Sequence, residues 1–345
     1  MDIVYSEDHR LHCGQGEMVD GEQHPCFENP SRADTVLAAV KRAGIGQVLP
    51  PEDFGLEPIL AIHGRRYVDF LQHAWDRWAA QGCVADLLPT IFHGRHSRGE
   101  APVPTALMGE LGHYCFDSEA PVTSGTWQAI YSSAQVALTA QQLMAQGARS
   151  AFALCRPPGH HAGSDYMGGY CYFNNAAIAG QRFLDQGARR VAILDIDYHH
   201  GNGTQEIFYG RGDVLFASIH ADPMVEYPYY WGHESERGEG AGEGFNCNYP
   251  LPHGAGWAQW SKALADACAQ IEGYGADALI ISLGVDTYEQ DPISEFRLTT
   301  PDYRLIGEAI GALGLPTLFV MEGGYAVEAI GLNVSGVLEG FLGRP

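Results

Sequence analysis

The stretch Leu194-Asp195-Ile196-Asp197-Tyr198-His199-His200-Gly201 follows an apolar run and offers two carboxylates and two imidazoles within six residues. On an extended segment, side chains at i and i+2 share a face, so Asp197 and His199 are expected to point the same way. A carboxylate oxygen and an imidazole nitrogen are two of the three protein ligands that an open, catalytic zinc site needs. The same pattern also fits a buried Asp and a surface His at a strand end, so its meaning depends on the rest of the chain.

Three further clusters carry chemistry. Arg156-Pro157-Pro158-Gly159-His160-His161-Ala162-Gly163 sets adjacent histidines in a loop stiffened by two prolines; a surface loop or a second metal site would look similar. Asp286, in Ser282-Leu283-Gly284-Val285-Asp286-Thr287, follows a buried apolar run. Tyr325, in Met321-Glu322-Gly323-Gly324-Tyr325, follows a Gly-Gly turn that lets backbone approach a ligand closely. Each cluster is common alone. Four at the ends of successive strands of one sheet are not.

The elements that must position them can be read from periodicity. Segments 150–154, 191–196, 214–219, 278–283 and 317–321 read as short buried strands, and 126–146, 174–185, 257–272, 301–313 and 327–341 read as helices. This alternation predicts an α/β fold, a three-layer α/β/α arrangement around a mainly parallel central sheet, in which ligands bind outside the carboxyl ends of the strands. Every cluster above sits at such an end. The segment 89–124 differs: it mixes Gly, Pro, His and acidic residues without clear periodicity, and reads as an insertion near the site or an interface.

Composition bounds the setting. The chain has 345 residues, 46% hydrophobic and 18% charged, which suits one large α/β domain with an ample core. No apolar run reaches the roughly 18–20 residues of a membrane span, and the opening residues Met1–Asp8 do not read as a signal peptide. Eight cysteines without a CxxC pair read as reduced thiols and a cytoplasmic location, and argue against sulfur-ligated structural zinc. A net charge of −22 disfavours nucleic acid and anionic membranes as partners and would steer a cationic substrate inward.

Taken together, the ordered motifs resemble the zinc-dependent histone deacetylase family of the arginase/deacetylase superfamily. The resemblance runs from His24-Pro25-Cys26-Phe27-Glu28-Asn29-Pro30-Ser31-Arg32 through RPPGHHA, GGYCYFNN (168–175), DIDYHHGNG (195–203), SIHAD (218–222), GVD at Asp286 and EGGY at Tyr325. It covers nearly the whole chain and implies a single deacetylase domain over 1–345 with the arginase/deacetylase fold.

Carried over residue by residue, the resemblance implies that Asp197, His199 and Asp286 ligate Zn²⁺, with Fe²⁺ as the alternative ion in the cell. Such a metal lowers the pKa of a bound water toward roughly 7 and polarises an amide carbonyl. His161 matches the general base and His160 its electrostatic partner. Asp195 would hold His160 and Asn202 would hold His161, where many relatives carry Asp. Tyr325 would donate its hydroxyl to the oxyanion. Structural K⁺ is implied at Asp195, Asp197, His199, Ser218 and Ile219, largely through backbone carbonyls, and a second K⁺ at Phe208, Arg211, Val214 and Phe245. Gly169, Tyr170 and Tyr227 fall where the family lines its substrate tunnel.

The 89–124 insertion looks like the long loop of acetylpolyamine amidohydrolases, which in that subfamily crosses a homodimer interface and narrows the entrance. Glu119 stands where the subfamily meets the distal ammonium of a small cationic acetylamine. The resemblance therefore implies removal of acetyl groups from acetylated diamines and polyamines. The alternatives are a protein acetyl-lysine deacetylase, a non-catalytic acyl-amine binding protein, which would need no general base, and an arginase-type enzyme, which would need bridging ligands absent from these motifs.

Overall fold

The structure, a computed structural model, describes residues 1–19, 21–94 and 102–344. Its strands are β1 (Asp2–Val4), β2 (Glu17–Val19), β3 (Glu22–His24), β4 (Val48–Leu49), β5 (Ser150–Ala153), β6 (Val191–Asp195), β7 (Val214–Ala221), β8 (Asn246–Leu251), β9 (Ala278–Leu283) and β10 (Thr317–Met321). β2 and β3 pair as an antiparallel hairpin. The other eight form one sheet in the order β4-β1-β5-β10-β9-β6-β7-β8, with every pairing parallel.

The central strands are continuous apolar runs because both faces are covered. Along β6, Val191 and Ile193 pack with Val136 and Ala137 of helix Thr126–Ala145 and with Ala176 of helix Asn175–Asp185. The alternate residues Ala192 and Leu194 pack in the opposite layer, which holds Trp260 of helix Trp257–Tyr274, Ile306 of helix Thr300–Ala312 and Val334 of helix Val327–Phe341. The three-layer arrangement expected from the sequence is therefore present. The strands that periodicity missed are β1, β4 and β8. β1 and β4 are too short to show a period. β8 carries two asparagines and Pro250, which only an edge strand tolerates.

The 89–124 segment departs from expectation. Within it lies a helix, Leu107–Tyr114, whose Leu107, Leu111 and Tyr114 are buried with Phe70 and Leu71 of helix Arg65–Ala79. This i, i+4, i+7 stripe is an ordinary apolar face. Gly109 and Gly112 lower its intrinsic helix propensity and hide it in the sequence. Leu87 and Val122 exchange paired backbone hydrogen bonds at 3.0 Å, closing the segment at its base. Residues 95–101 of the insertion lie outside the described residues.

Candidate active site

The clusters around His161, Tyr325, Asp286 and Asp197 follow β5, β10, β9 and β6, which are consecutive neighbours in the sheet. Parallel pairing puts all four carboxyl ends on one edge. There, ligand atoms of Asp197, His199 and Asp286 all lie within 4.8 Å of one another, and all three residues are buried. Asp286 Oδ2 is 3.2 Å from His199 Nδ1, and Asp197 Oδ1 is 3.4 Å from the same nitrogen.

The convergence of Asp197 and His199 does not come from an extended strand. β6 ends at Asp195, and the chain then bends. Asp195 Oδ1 accepts the Asp197 N–H at 3.1 Å, and Asp197 Oδ1 accepts the His199 N–H at 2.9 Å. These are successive Asx turns, in which a side chain two residues back replaces the ladder partner. Asp286 Oδ1 accepts the Tyr198 N–H at 2.8 Å and Asp197 Oδ2 that of Gly323 at 2.8 Å, fastening the four loops together. Glycine is required where they meet. A Cβ on Gly284 would lie 2.1 Å from Asp197 Oδ2, and one on Gly323 would lie 2.5 Å from carboxylate oxygens of both Asp197 and Asp286.

Burial and the neighbouring Asp197 push the Asp286 carboxyl up. Asp197 is held low despite burial, by His160 and His199. Neither carboxylate has a lysine or arginine partner among the groups that act on it. Two buried carboxylates and an imidazole with converging donor atoms and no fixed cation match the donor set of a divalent metal site. The residues present thus fit such an ion.

The two adjacent histidines are driven apart electrostatically. His160 Nδ1–H donates to Asp195 Oδ2 at 3.0 Å. Burial disfavours its charge, but Asp197 and Asp195 outweigh burial and push it up to about 10. His161 pairs through Nδ1 with Asn202 Oδ1 at 2.7 Å. Burial, then the positive charges of His160 and His199, hold its pKa well below the usual range. One imidazole is thereby kept charged and the other neutral, the separation by which a site divides electrostatic from proton-accepting duty.

Tyr325 is buried at the pocket, its backbone N–H bonded to Asp291 Oδ2 at 2.7 Å. Arg32 supports the turn before it, donating to the carbonyls of Gly324 and Glu322, both at 2.6 Å, and its guanidinium lies 4.7 Å from the Tyr325 ring centre. Arg32 is itself held by Glu28, which also binds Arg156 from the His160 loop.

A pocket of about 430 Å³ opens over this floor. His161, His199 and Tyr325 line its base; Gly169, Tyr170, Tyr227 and Glu119 line its wall. Tyr170 sits at φ 65°, in the left-handed region that non-glycine residues seldom occupy, with its ring centre 5.7 Å from that of Tyr325. Asp117 joins the wall together: its Oδ2 accepts from the Tyr227 hydroxyl at 2.5 Å and from Gly169 N–H at 2.9 Å, and its Oδ1 accepts Glu119 N–H at 2.9 Å. Asp117 is thus a fastening residue, and Glu119 is the one of the two that lines the pocket. Burial, then Asp117 and Glu17, push the Glu119 carboxyl up to about 7.

Of the residues expected to hold potassium, Asp195 and Ser218 stand opposite each other in the β6–β7 register, with Ile219 next along β7. The Ser218 hydroxyl pairs with His220 Nδ1 at 2.8 Å. Phe208 ends helix Asn202–Phe208, Val214 begins β7 and Phe245 immediately precedes β8. The carbonyls of Phe208 and Phe245 each accept one backbone N–H, from Arg211 and Phe216, while the Arg211 side chain pairs with Asp213. Sequence reading missed Met18, Glu226, Tyr229 and Pro292–Glu295 at the pocket and Asp291 behind Tyr325. These lie in a hairpin or in irregular segments that carry no periodic signal.

The chain matches the family model described as "Histone deacetylase domain" over residues 24–341. It is 71% identical over 340 residues to acetylpolyamine amidohydrolase 1 of Pseudomonas aeruginosa, covering 99% of this chain and 98% of that protein. It is 50% identical to acetylpolyamine amidohydrolase of Mycoplana ramosa, covering 99% of this chain and all of that protein. The solved structure of acetylpolyamine aminohydrolase from Burkholderia pseudomallei superposes with a TM-score of 0.93 at 40% identity, covering 99% of this chain and 98% of the other. With the catalytic edge of the sheet, the His160–His161 pair and the Asp-His-Asp cluster already in view, these likenesses place the chain in the histone deacetylase domain family.

Proposed function

We propose that this protein is an amidohydrolase that cleaves the acetamide of small acetylated diamines and polyamines to acetate and the free amine. One observation carries the substrate class: Glu119 lines the wall of the same pocket whose base holds His161, His199 and Tyr325. An acetyl group at the base leaves the far ammonium of an acetyldiamine within the reach of that wall, and the names of the similar amidohydrolases support the same substrate.

Asp197, His199 and Asp286 would hold Zn²⁺, with Fe²⁺ the alternative in the cell. When bound, the ion supplies Lewis acidity for the amide carbonyl and for water. His161, neutral and presenting a bare Nε2, takes the proton of the attacking water and returns it to the leaving amine as the C–N bond breaks. The His160 imidazolium, held by Asp195, stabilises negative charge at the base. The Tyr325 hydroxyl donates to the oxygen on which that charge develops. Gly169, Tyr170 and Tyr227 form walls for the alkyl chain, and Glu119 receives the distal ammonium.

Potassium at the carbonyls of Asp195, Asp197, His199 and Ile219 with Ser218, and a second ion at Phe208, Arg211, Val214 and Phe245, would brace β6, β7 and their loops. A homodimer through residues 89–124 is supported by the apolar side chains that segment exposes, Ile91 at 63% and Phe92 at 42%. Eight free cysteines support a reducing, cytoplasmic setting. Among the described residues no helix is long and apolar enough to cross a membrane.

The test is a side-by-side assay of N-acetylputrescine, N-acetylcadaverine and an acetyl-lysine peptide with metal-free and reconstituted protein. Expected are loss of turnover on chelation, recovery with one equivalent of Zn²⁺ or Co²⁺, and kcat/KM at least tenfold higher for the acetyldiamines. A preference for the peptide would replace this reading by protein deacetylation. Full turnover without metal would remove the mechanism. Light scattering should give about twice the chain mass.

A further inference from the structure

Glu322 is fully buried at the end of β10, directly before the Gly-Gly turn that leads to Tyr325. Its Oε2 accepts the backbone N–H of Gly159 at 2.7 Å and that of His160 at 3.2 Å. Its own carbonyl accepts from Arg32 Nη2 at 2.6 Å. Its Oε1 accepts no hydrogen bond among the described residues, and one carboxylate oxygen lies within 4.8 Å of a ring nitrogen of His160 and of Cys171 Sγ. Nothing in the reaction described above uses this group.

A carboxylate in such a place is costly unless its contacts do something an apolar side chain cannot. Here the contact is with the peptide that enters the histidine pair. The peptide that leaves His160 is held from the other side: the His160 carbonyl accepts the N–H groups of Gly203 and Thr204, both at 3.1 Å, from the helix that also carries Asn202. The backbone of His160 is therefore gripped between β10 and the helix Asn202–Phe208. Without Glu322, the Gly159 and His160 amides would be left buried and unpaired on one side of that grip.

We propose that Glu322 is the positioning residue that ties the His160–His161 loop to the Tyr325 turn, so that the proton acceptor and the oxyanion donor keep one fixed separation. It touches no reacting atom and acts through the backbone of Gly159 and His160. The inference rests on the deacetylase reading above. Displacing a reacting group by about 1 Å can cost on the order of 10²-fold in rate, so a loosened loop should appear in kcat and not in KM.

The experiment compares wild-type holoenzyme with Glu322→Gln, whose amide oxygen can still accept both N–H groups, and Glu322→Met, which keeps the volume and accepts nothing. Three quantities are read: kcat and KM for N-acetylputrescine, metal content, and hydrogen exchange of the Gly159 and His160 amides. The expected order of kcat is wild type, then Gln five- to tenfold lower, then Met at least 100-fold lower. KM should stay within twofold and one metal per chain should be retained, while amide exchange becomes at least tenfold faster in the Met protein only. The Gln protein thus rescues most of what Met loses. Wild-type kcat in both variants would overturn the proposal, as would KM rising in step with the fall in kcat, or loss of metal from the Gln protein. If the Met protein does not fold, the Gln protein decides alone: unchanged kcat overturns the proposal. If the wild type turns over no acetylated amine, the functional reading fails, and amide exchange still decides whether Glu322 holds the loop.

Discussion

His161 Nδ1 lies 2.7 Å from Asn202 Oδ1, and the Asn202 amide is oriented by its own nitrogen, which donates to the His161 carbonyl and the Tyr166 hydroxyl. Since Oδ1 can only accept, His161 must carry its proton on Nδ1 and leave Nε2 bare. A neutral amide fixes this tautomer without adding charge, and burial with His160 and His199 nearby keeps the ring neutral.

Asn202→Asp should change basicity without moving the ring. A carboxylate stabilises the imidazolium, so the His161 pKa rises. A base must be deprotonated to act, so the acidic limb of the kcat/KM profile should move to higher pH, by about one unit. An acidic limb that stays in place would show that His161 is not the titrating base.

Tyr325→Phe removes one hydroxyl from a buried ring whose turn is held independently by Arg32 and Asp291. The fold should be unaffected. Loss of one oxyanion donor typically costs about 10²–10³ in kcat, and KM should stay within a few-fold. A change below about threefold would make Tyr325 a wall residue only.

Glu119 should make substrate recognition depend on pH. Its carboxyl, raised to about 7 by burial and by Asp117 and Glu17, is charged above that pH and neutral below it. KM for N-acetylcadaverine should rise as pH falls through about 7, by five- to tenfold, the equivalent of about 1 kcal/mol for a partly solvated ion pair. An uncharged acetylalkylamine should show no such rise, and Glu119→Gln should abolish the difference. Equal pH dependence for both substrates would assign the effect to the catalytic groups.

Glu28 should matter for stability. Its carboxylate binds Arg32 at 2.7 Å and Arg156 at 2.8 Å, all three groups being buried. Burial alone would raise its pKa, but Arg156 and Arg32 hold it below the usual range. A depressed folded-state pKa gives stability that is present above the unfolded carboxylate pKa and is lost as pH falls through the folded one. Glu28→Gln leaves two buried guanidiniums short of a counter-charge and should cost about 3–5 kcal/mol in urea denaturation at neutral pH. A loss below about 1 kcal/mol would show that the arginines are satisfied by their carbonyl partners alone.

The sequence by itself determined the chemical inventory and its local setting. Asp197, His199, Asp286, His160, His161 and Tyr325 are recognisable because each follows a short apolar run, and such runs alternate with helical segments at the spacing of a parallel α/β sheet. It did not determine how Asp197 and His199 converge: periodicity suggested a shared strand face, whereas two Asx turns past the end of β6 bring them together. The helix Leu107–Tyr114 was masked by its glycines and forms because Leu107, Leu111 and Tyr114 have a buried surface to meet. Only the tertiary structure decided the order β5-β10-β9-β6 that makes four separate loops neighbours. It also decided the contacts that lock them, such as Gly323 to Asp197 and Glu28 to Arg156, each joining residues more than 120 positions apart. The reason is range. Propensity and hydrophobic period act within a few residues, whereas a buried carboxylate finds its partner only after the sheet has assembled.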